Sequence, residues 1–138
     1  MNELDDLSFI KRVREKSDIV SIDVCKGKKF NQLSILKYVD YFFISDEDLF
    51  IDINELASKI KGWVILHHKG GSRCVCMKES FEIKTPVLDN INVLGAGDMF
   101  AAAVINSILN TVDKSNMRNN IKEAHEITST ILAKINEK

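Results

Sequence analysis

Apolar residues recur along this chain with two periods, one suited to helices and one to strands. Leu7, Ile10 and Val13 stand at helical spacing within the charged stretch 3–15, which predicts an amphipathic helix. The run DIVSIDVC (18–25) reads as a short buried strand of the kind usually covered on both faces. After the basic turn KGKK, NQLSILKYV (31–39) predicts a short helix capped by Asn31. DYFFISD (40–46) is a second strand, and Ser45 is expected to cap a helix over DEDLFIDINELASKI (46–60), whose acidic start suits the positive end of a helix dipole.

GWVILHH (62–68) predicts a third strand and KGG (69–71) a turn; SRCVCMK and SFEIKT then form a hairpin or two adjacent strands. Pro86 and LDN make a loop, a helix spans Asp98 to about Asn110, and a closing helix over 117–138 aligns Ile121, Ala124, Ile127, Ile131 and Ile135 along one side. Strands alternating with helices argue for an α/β fold with a largely parallel sheet.

Composition narrows the picture. The 138 residues suit one domain with a single sizeable core. A formal net charge of -1 makes no electrostatic case for a nucleic acid or an acidic membrane as partner. The longest apolar runs fall short of a membrane span and no signal peptide is discernible, so the cytoplasm is the expected setting. Three cysteines, Cys25, Cys74 and Cys76, are an odd number without framework spacing, as expected in a reducing compartment. Cys74 and Cys76 form a C-x-C shortly after His67 and His68, which raises a metal site. Strand alternation puts both thiols on one face, where core packing is the expectation, because zinc pairs usually have two intervening residues and a second pair elsewhere.

The chemistry concentrates in INVLGAGDMFAAAVI (91–105), which places two of the chain's six glycines directly before an aspartate. One reading is a plain helix start. A dinucleotide-binding turn requires a third glycine or an alanine where Phe100 stands, and a position early in a βαβ unit. No Walker-A G-K-[ST] occurs either. The third reading is an anion cradle: unpaired amides at a helix N-terminus, with side-chain-free Gly95 and Gly97 allowing a phosphate close approach. Asp98, one step further in, is placed to accept the proton of an attacking alcohol; an acid favoured by the helix dipole is the plainer alternative.

GAGDMF resembles the second signature of the ribokinase-like (PfkB) carbohydrate kinase family, D-T-x-G-A-G-D-x-F. VSIDV, LKYVDYFFISDEDL and VILHHKGGS are similar, in the right order, to the family's acid-ended strand, the segment around its N-x-x-E motif, and its T-L-G-x-x-G strand and turn. The resemblance covers nearly the whole chain but only the C-terminal half of a family member. It implies a three-layer α/β/α sandwich with a mostly parallel sheet, residues 1–138 forming one partial, nucleotide-binding domain without the N-terminal strands and lid. It implies phosphoryl transfer from ATP, with Mg2+, to a sugar hydroxyl. Asp98 takes the role of general base, and Gly95, Ala96 and Gly97 that of the anion hole.

Departures from the pattern qualify the rest. Asn92 stands at the signature's leading acid and Val93 and Leu94 at its threonines, so a monovalent-cation site is not carried over; Asn92 keeps only a carbonyl for the donor. Ser45 and Asp48 occupy the N-x-x-E positions, with Asp48 offering a shortened carboxylate to magnesium-bound phosphate. Ile65 and His67 replace the threonine and first glycine of T-L-G-x-x-G, and Gly70 retains the last glycine; His67 adds bulk, or a phosphate contact, where the nucleotide would pass. The determinants of the sugar fall outside the matched region. The expected partners are a nucleotide, a sugar, and either a second copy or a separate polypeptide carrying the N-terminal half. The alternative is a degenerate, inactive kinase-like domain serving binding or oligomerisation.

Overall fold

The computed structural model describes residues 3–24, 33–49, 51–86, 95–111 and 116–136. Its elements are α1 (Glu3–Lys16), β1 (Ser21–Asp23), a 3-10 helix (Leu33–Tyr38), β2 (Tyr41–Ser45), α2 (Ile53–Lys59), β3 (Trp63–His68), β4 (Gly71–Val75), β5 (Ser80–Lys84), α3 (Ala96–Asn110) and α4 (Met117–Asn136). The strands form one sheet in the order β1-β2-β3-β4-β5. β1 pairs parallel with β2 and β2 parallel with β3, in a register that sets Ser45 opposite His67. The turns into β4 and β5 are too short for the crossover that parallel pairing needs, so these strands return antiparallel and the sheet is mixed. The proposed Asn31 cap lies outside the described residues.

Contacts divide the chain into two compact units, Met1–His68 with Arg73–Phe81, and Lys69–Ser72 with Glu82–Lys138. In the first, Ile10 of α1, Leu36, Val39, Leu56 of α2 and the same-face strand residues Phe42, Ile44 and Val64 form a buried cluster. Phe43 and Ile65 point to the opposite face and are equally buried, so β2 and β3 are covered on both sides, as parallel strands require. β1 departs from the expectation of burial on both faces. Val20 and Val24 are buried whereas Ser21 and Asp23 are exposed, because side chains alternate across a strand and only one face meets the cluster.

The second helix also differs from its expected start. Ser45 donates instead to Asp48 Oδ2 at 3.0 Å, and 46–48 form a turn. Asp52 caps α2, its Oδ2 accepting from the Asn54 and Glu55 amides at 3.1 and 3.2 Å. A carboxylate at this position satisfies two of the orphan donors at the helix start. Seven residues of helix result, starting where the apolar pattern Ile53–Leu56–Ala57 meets the core.

Asp40 ties the first unit together. Its Oδ2 accepts from the Val20 amide at 2.9 Å and from Arg14 Nη1, and Arg14 also donates to the Asp18 carbonyl at 3.0 Å. Half-burial of Tyr41, and secondarily the Asp40 charge, push the phenol above its ordinary value of 10.0. The folded state therefore favours the neutral phenol, and its contribution to stability is lost as pH rises past that value toward the folded one. Asp40→Ala is expected to lower stability by about 2–3 kcal/mol, since it removes charge-assisted bonds from a largely enclosed site. Urea unfolding measures that loss, and phenolate absorbance should show Tyr41 titrating at lower pH.

In the second unit, α3 packs on α4. Met117, Ile121, Ala124, Thr128 and Leu132 form the buried side of α4, whereas Ile131 and Ile135 are 39% and 53% exposed. Of the expected stripe, Ile121 and Ala124 are buried and Ile127 is half-buried, while further along the helix Thr128 and Leu132 take the buried positions. Between the helices, the Asn120 side-chain amide lies 3.0 Å from Ser107 Oγ and 2.8 Å from Thr111 Oγ1. Ser107 Oγ also reaches Glu123 Oε2 at 3.2 Å, and Thr111 Oγ1 reaches the Ser107 carbonyl at 2.6 Å. Placing Asn120 Oδ1 toward the hydroxyls leaves Nδ2 buried without a partner. With the amide nitrogen there instead, it donates to both hydroxyls and each hydroxyl proton has its own acceptor, while the amide oxygen takes the position without a partner.

Candidate functional site

The residues singled out by sequence fall into two groups, one in each unit. In the first, the carboxyl ends of parallel strands gather Ser45, Asp48 and His67. Ser45 closes β2, holds Asp48 by its hydroxyl and stands opposite His67 near the end of β3, whose carbonyl accepts from the Asp46 amide at 3.0 Å. Ser45, Asp48 and His67 are all half-buried. Parallel α/β sheets bind ligands at such strand ends, where loops diverge and strand side chains stop packing.

The second group is built on α3. Gly95 is its N-cap, with φ 80° and ψ 0°, a left-handed conformation that L side chains adopt only at a cost. A Cβ placed on Gly95 would meet nothing within 4 Å among the described residues. The first intrahelical bond runs from the Met99 amide to the Gly95 carbonyl at 3.0 Å. Among the described residues, the Ala96, Gly97 and Asp98 amides therefore have no acceptor, and no side chain caps them. Asp98 is exposed in this first turn. The mouth is open and donor-rich among the described residues, with a carboxylate beside it. Gly95→Ala is expected to cost about 1–2 kcal/mol through left-handed strain alone, since the space is free. Thermal unfolding reads that cost.

Gly70 belongs to the same unit, in the turn before β4, and its carbonyl accepts from the Thr85 amide at 2.9 Å. Its neighbour Gly71 is the residue that the turn geometry demands. Gly71 has φ 139°, and a Cβ there would lie 1.9 Å from the Ile83 carbonyl oxygen. The next residue, Ser72, is fully buried and shares a 2.7 Å hydrogen bond with His125 Nε2 of α4. The His125 ring stacks on Phe100 of α3, centroids 4.3 Å apart and planes 23° apart. Sequence inspection missed His125 because Ser72 stands 53 positions away and nothing in the local pattern marks the pair.

Asn92 lies outside the described residues, so its donor contact receives no structural account. Cys74 is fully buried and Cys76 half-buried. Among the described residues no group of three or more His, Cys, Asp or Glu is arranged to hold a metal ion. No helix among them is long and apolar enough to cross a membrane.

No protein-family model matches the chain, and no curated protein is significantly similar to it. Solved structures do match. A ribokinase from Thermotoga maritima superposes with TM-score 0.63 at 18% identity, covering 80% of this chain and 41% of its own. Aminoimidazole riboside kinase from Salmonella enterica gives 0.70 at 17%, covering 91% and 50%. A pyrophosphate-dependent myo-inositol-1 kinase variant gives 0.73 at 19%, covering 91% and 51%.

The fold is ribokinase-like. The chain spans about half the length of each solved kinase it matches, which agrees with a partial ribokinase-like domain.

Proposed function

We propose that this chain is the donor-binding half of a ribokinase-like phosphotransferase, moving a phosphoryl group from ATP to a sugar hydroxyl once the rest of the fold is supplied. The observation that carries this reading is the mouth of α3: left-handed Gly95 under open space, unpaired amides behind it, and an exposed Asp98 in the first turn. Gly95, Ala96 and Gly97 supply amides toward the oxygens on which negative charge develops. Asp98 takes the proton from the acceptor hydroxyl as that oxygen attacks phosphorus in line. The resemblance to ribokinase-like kinases assigns donor binding to Gly70, His67, Ser45 and Asn92 as well.

Magnesium is usually held by one or two carboxylates together with substrate phosphates, so Asp48 alone suits that way of binding and the absence of a protein cage among the described residues does not oppose it. Bound there, the ion supplies positive charge to the phosphates. Several structural neighbours are pyrophosphate-dependent kinases, which makes inorganic pyrophosphate the donor to test beside ATP. The setting we assign is the cytoplasm, in keeping with an odd number of cysteines without framework spacing.

The partner we propose is a second copy or a polypeptide carrying the half of the solved kinases that this chain does not match. β1 stands at one end of the strand order, and Ile131 and Ile135 are exposed apolar residues. Incubating the chain with ATP or pyrophosphate, magnesium and a panel of sugars and polyols, with and without a polypeptide bearing the other half, tests the proposal by phosphorus NMR. Transfer that requires the second polypeptide is the expected result. No transfer in any combination, together with no affinity for either donor, overturns it.

A second reading is a catalytically inactive module for binding or oligomerisation. The Ser45 hydroxyl engaged with Asp48 and the buried Ile65 favour it, because neither is then free to serve a nucleotide. Calorimetry separates the two: micromolar donor affinity supports the kinase reading, whereas association without donor affinity supports the module.

A further inference from the structure

Two parts of the candidate site in the second unit lie far apart in sequence, the turn Lys69–Ser72 and the first turns of α3, yet one side chain touches both. His125 reaches the turn through Nε2, 2.7 Å from Ser72 Oγ, and reaches α3 through its ring face, stacked on Phe100 two residues after Asp98. Ser72 is fully buried and Phe100 is 3% exposed, so both contacts are enclosed. On its other side the turn is fastened to β5, by the Thr85 amide on the Gly70 carbonyl and by the close approach of Gly71 to Ile83. A buried hydroxyl hydrogen-bonded to a stacked imidazole has little freedom, since losing the bond strands a polar group in the interior.

We infer that His125 is a positioning residue for the phosphate site: bridging Ser72 and Phe100, it sets the separation between the Gly70–Gly71 turn and the amides at the mouth of α3. This rests on the phosphotransferase reading for the ligand, but the coupling itself is a property of the free chain. Sub-ångström placement of phosphate donors governs how well they serve, because amide hydrogen bonds weaken steeply with distance and angle. His125 never needs to touch the ligand to have this effect.

Three variants of the full chain test it: His125→Leu, which keeps bulk against Phe100 but loses the hydrogen bond; His125→Gln, which keeps a hydrogen-bonding group at similar reach; and Ser72→Ala. Amide NMR follows Gly70, Gly71 and Ala96–Asp98, and calorimetry follows inorganic pyrophosphate binding. His125→Leu is expected to shift both sets of amides and weaken pyrophosphate roughly fivefold to tenfold, the cost of about one buried hydrogen bond. His125→Gln should restore both readouts. Ser72→Ala should match His125→Leu, and the double variant should be no worse than either single one.

Unmoved α3 amides in both His125→Leu and Ser72→Ala, or additive losses in the double variant, overturn the inference. A wild-type chain that binds no pyrophosphate instead overturns the proposed donor, and the amide shifts still decide the coupling.

Discussion

Asp98→Asn is expected to lower kcat by roughly 100- to 10,000-fold in the assembly that completes the fold, the range that positioned general bases contribute. This corresponds to about 3–5 kcal/mol in the barrier. The carboxylate is exposed, so the substitution buries nothing new and leaves the unfolding midpoint nearly where it was. Donor affinity should move the other way. Removing a negative charge from the first turn of α3 relieves repulsion toward an incoming phosphate, so ATP or pyrophosphate should bind equally well or more tightly. That split between turnover and affinity distinguishes a base from a helix-dipole acid, which would change neither by much. Steady-state kinetics with isothermal titration measures both; turnover close to wild type would remove Asp98 from the chemistry.

The second large effect concerns folding. Gly71→Ala should destabilise the chain by about 3 kcal/mol or more, from a disfavoured positive φ together with a direct overlap with main chain. The added Cβ would lie 1.9 Å from the Ile83 carbonyl oxygen and 3.1 Å from the Lys84 Cα, and neither is the end of a flexible side chain. Relief requires the β4–β5 pairing to separate, which also pulls on the Ser72–His125 bond. Gly95→Ala makes the contrast, because its positive φ carries strain without a clash. Thermal unfolding of the two variants side by side should show a midpoint loss at Gly71 at least twice that at Gly95. Equal losses would mean that the hairpin adapts and that the close approach is not structurally demanding.

Much of this architecture was legible from local pattern. The apolar runs in DYFFISD and GWVILHH located β2 and β3, because parallel strands covered on both faces are apolar at successive positions. Leu7–Ile10–Val13 located α1, whose one core-facing side imposes a period of about three and a half. The G-A-G-D stretch announced the mouth of α3, since a helix start with small residues and an acid is a local geometry written in consecutive positions. The start of α2 was misplaced because Ser45 and Asp52 are both competent caps. What decides between them is where Leu56 and Ala57 must lie to reach the buried cluster. The stripe on α4 was misjudged for a related reason: Ile121, Ala124 and Ile131 share a side on paper, but the contact with α3 follows Ala124, Thr128 and Leu132.

By itself, then, the chain's order of residues determined the succession of elements, the apolar strands and the glycine-led start of α3, all properties of neighbours within a few positions. Only the folded chain decided that a Cβ at Gly71 would run into the Ile83 carbonyl, that Asp40 gathers Arg14 and the Val20 amide, and that His125 joins Ser72 to Phe100. Those are contacts between distant segments, and no local period encodes them. They exist because burial forces each polar or bulky group to find whatever partner the topology delivers.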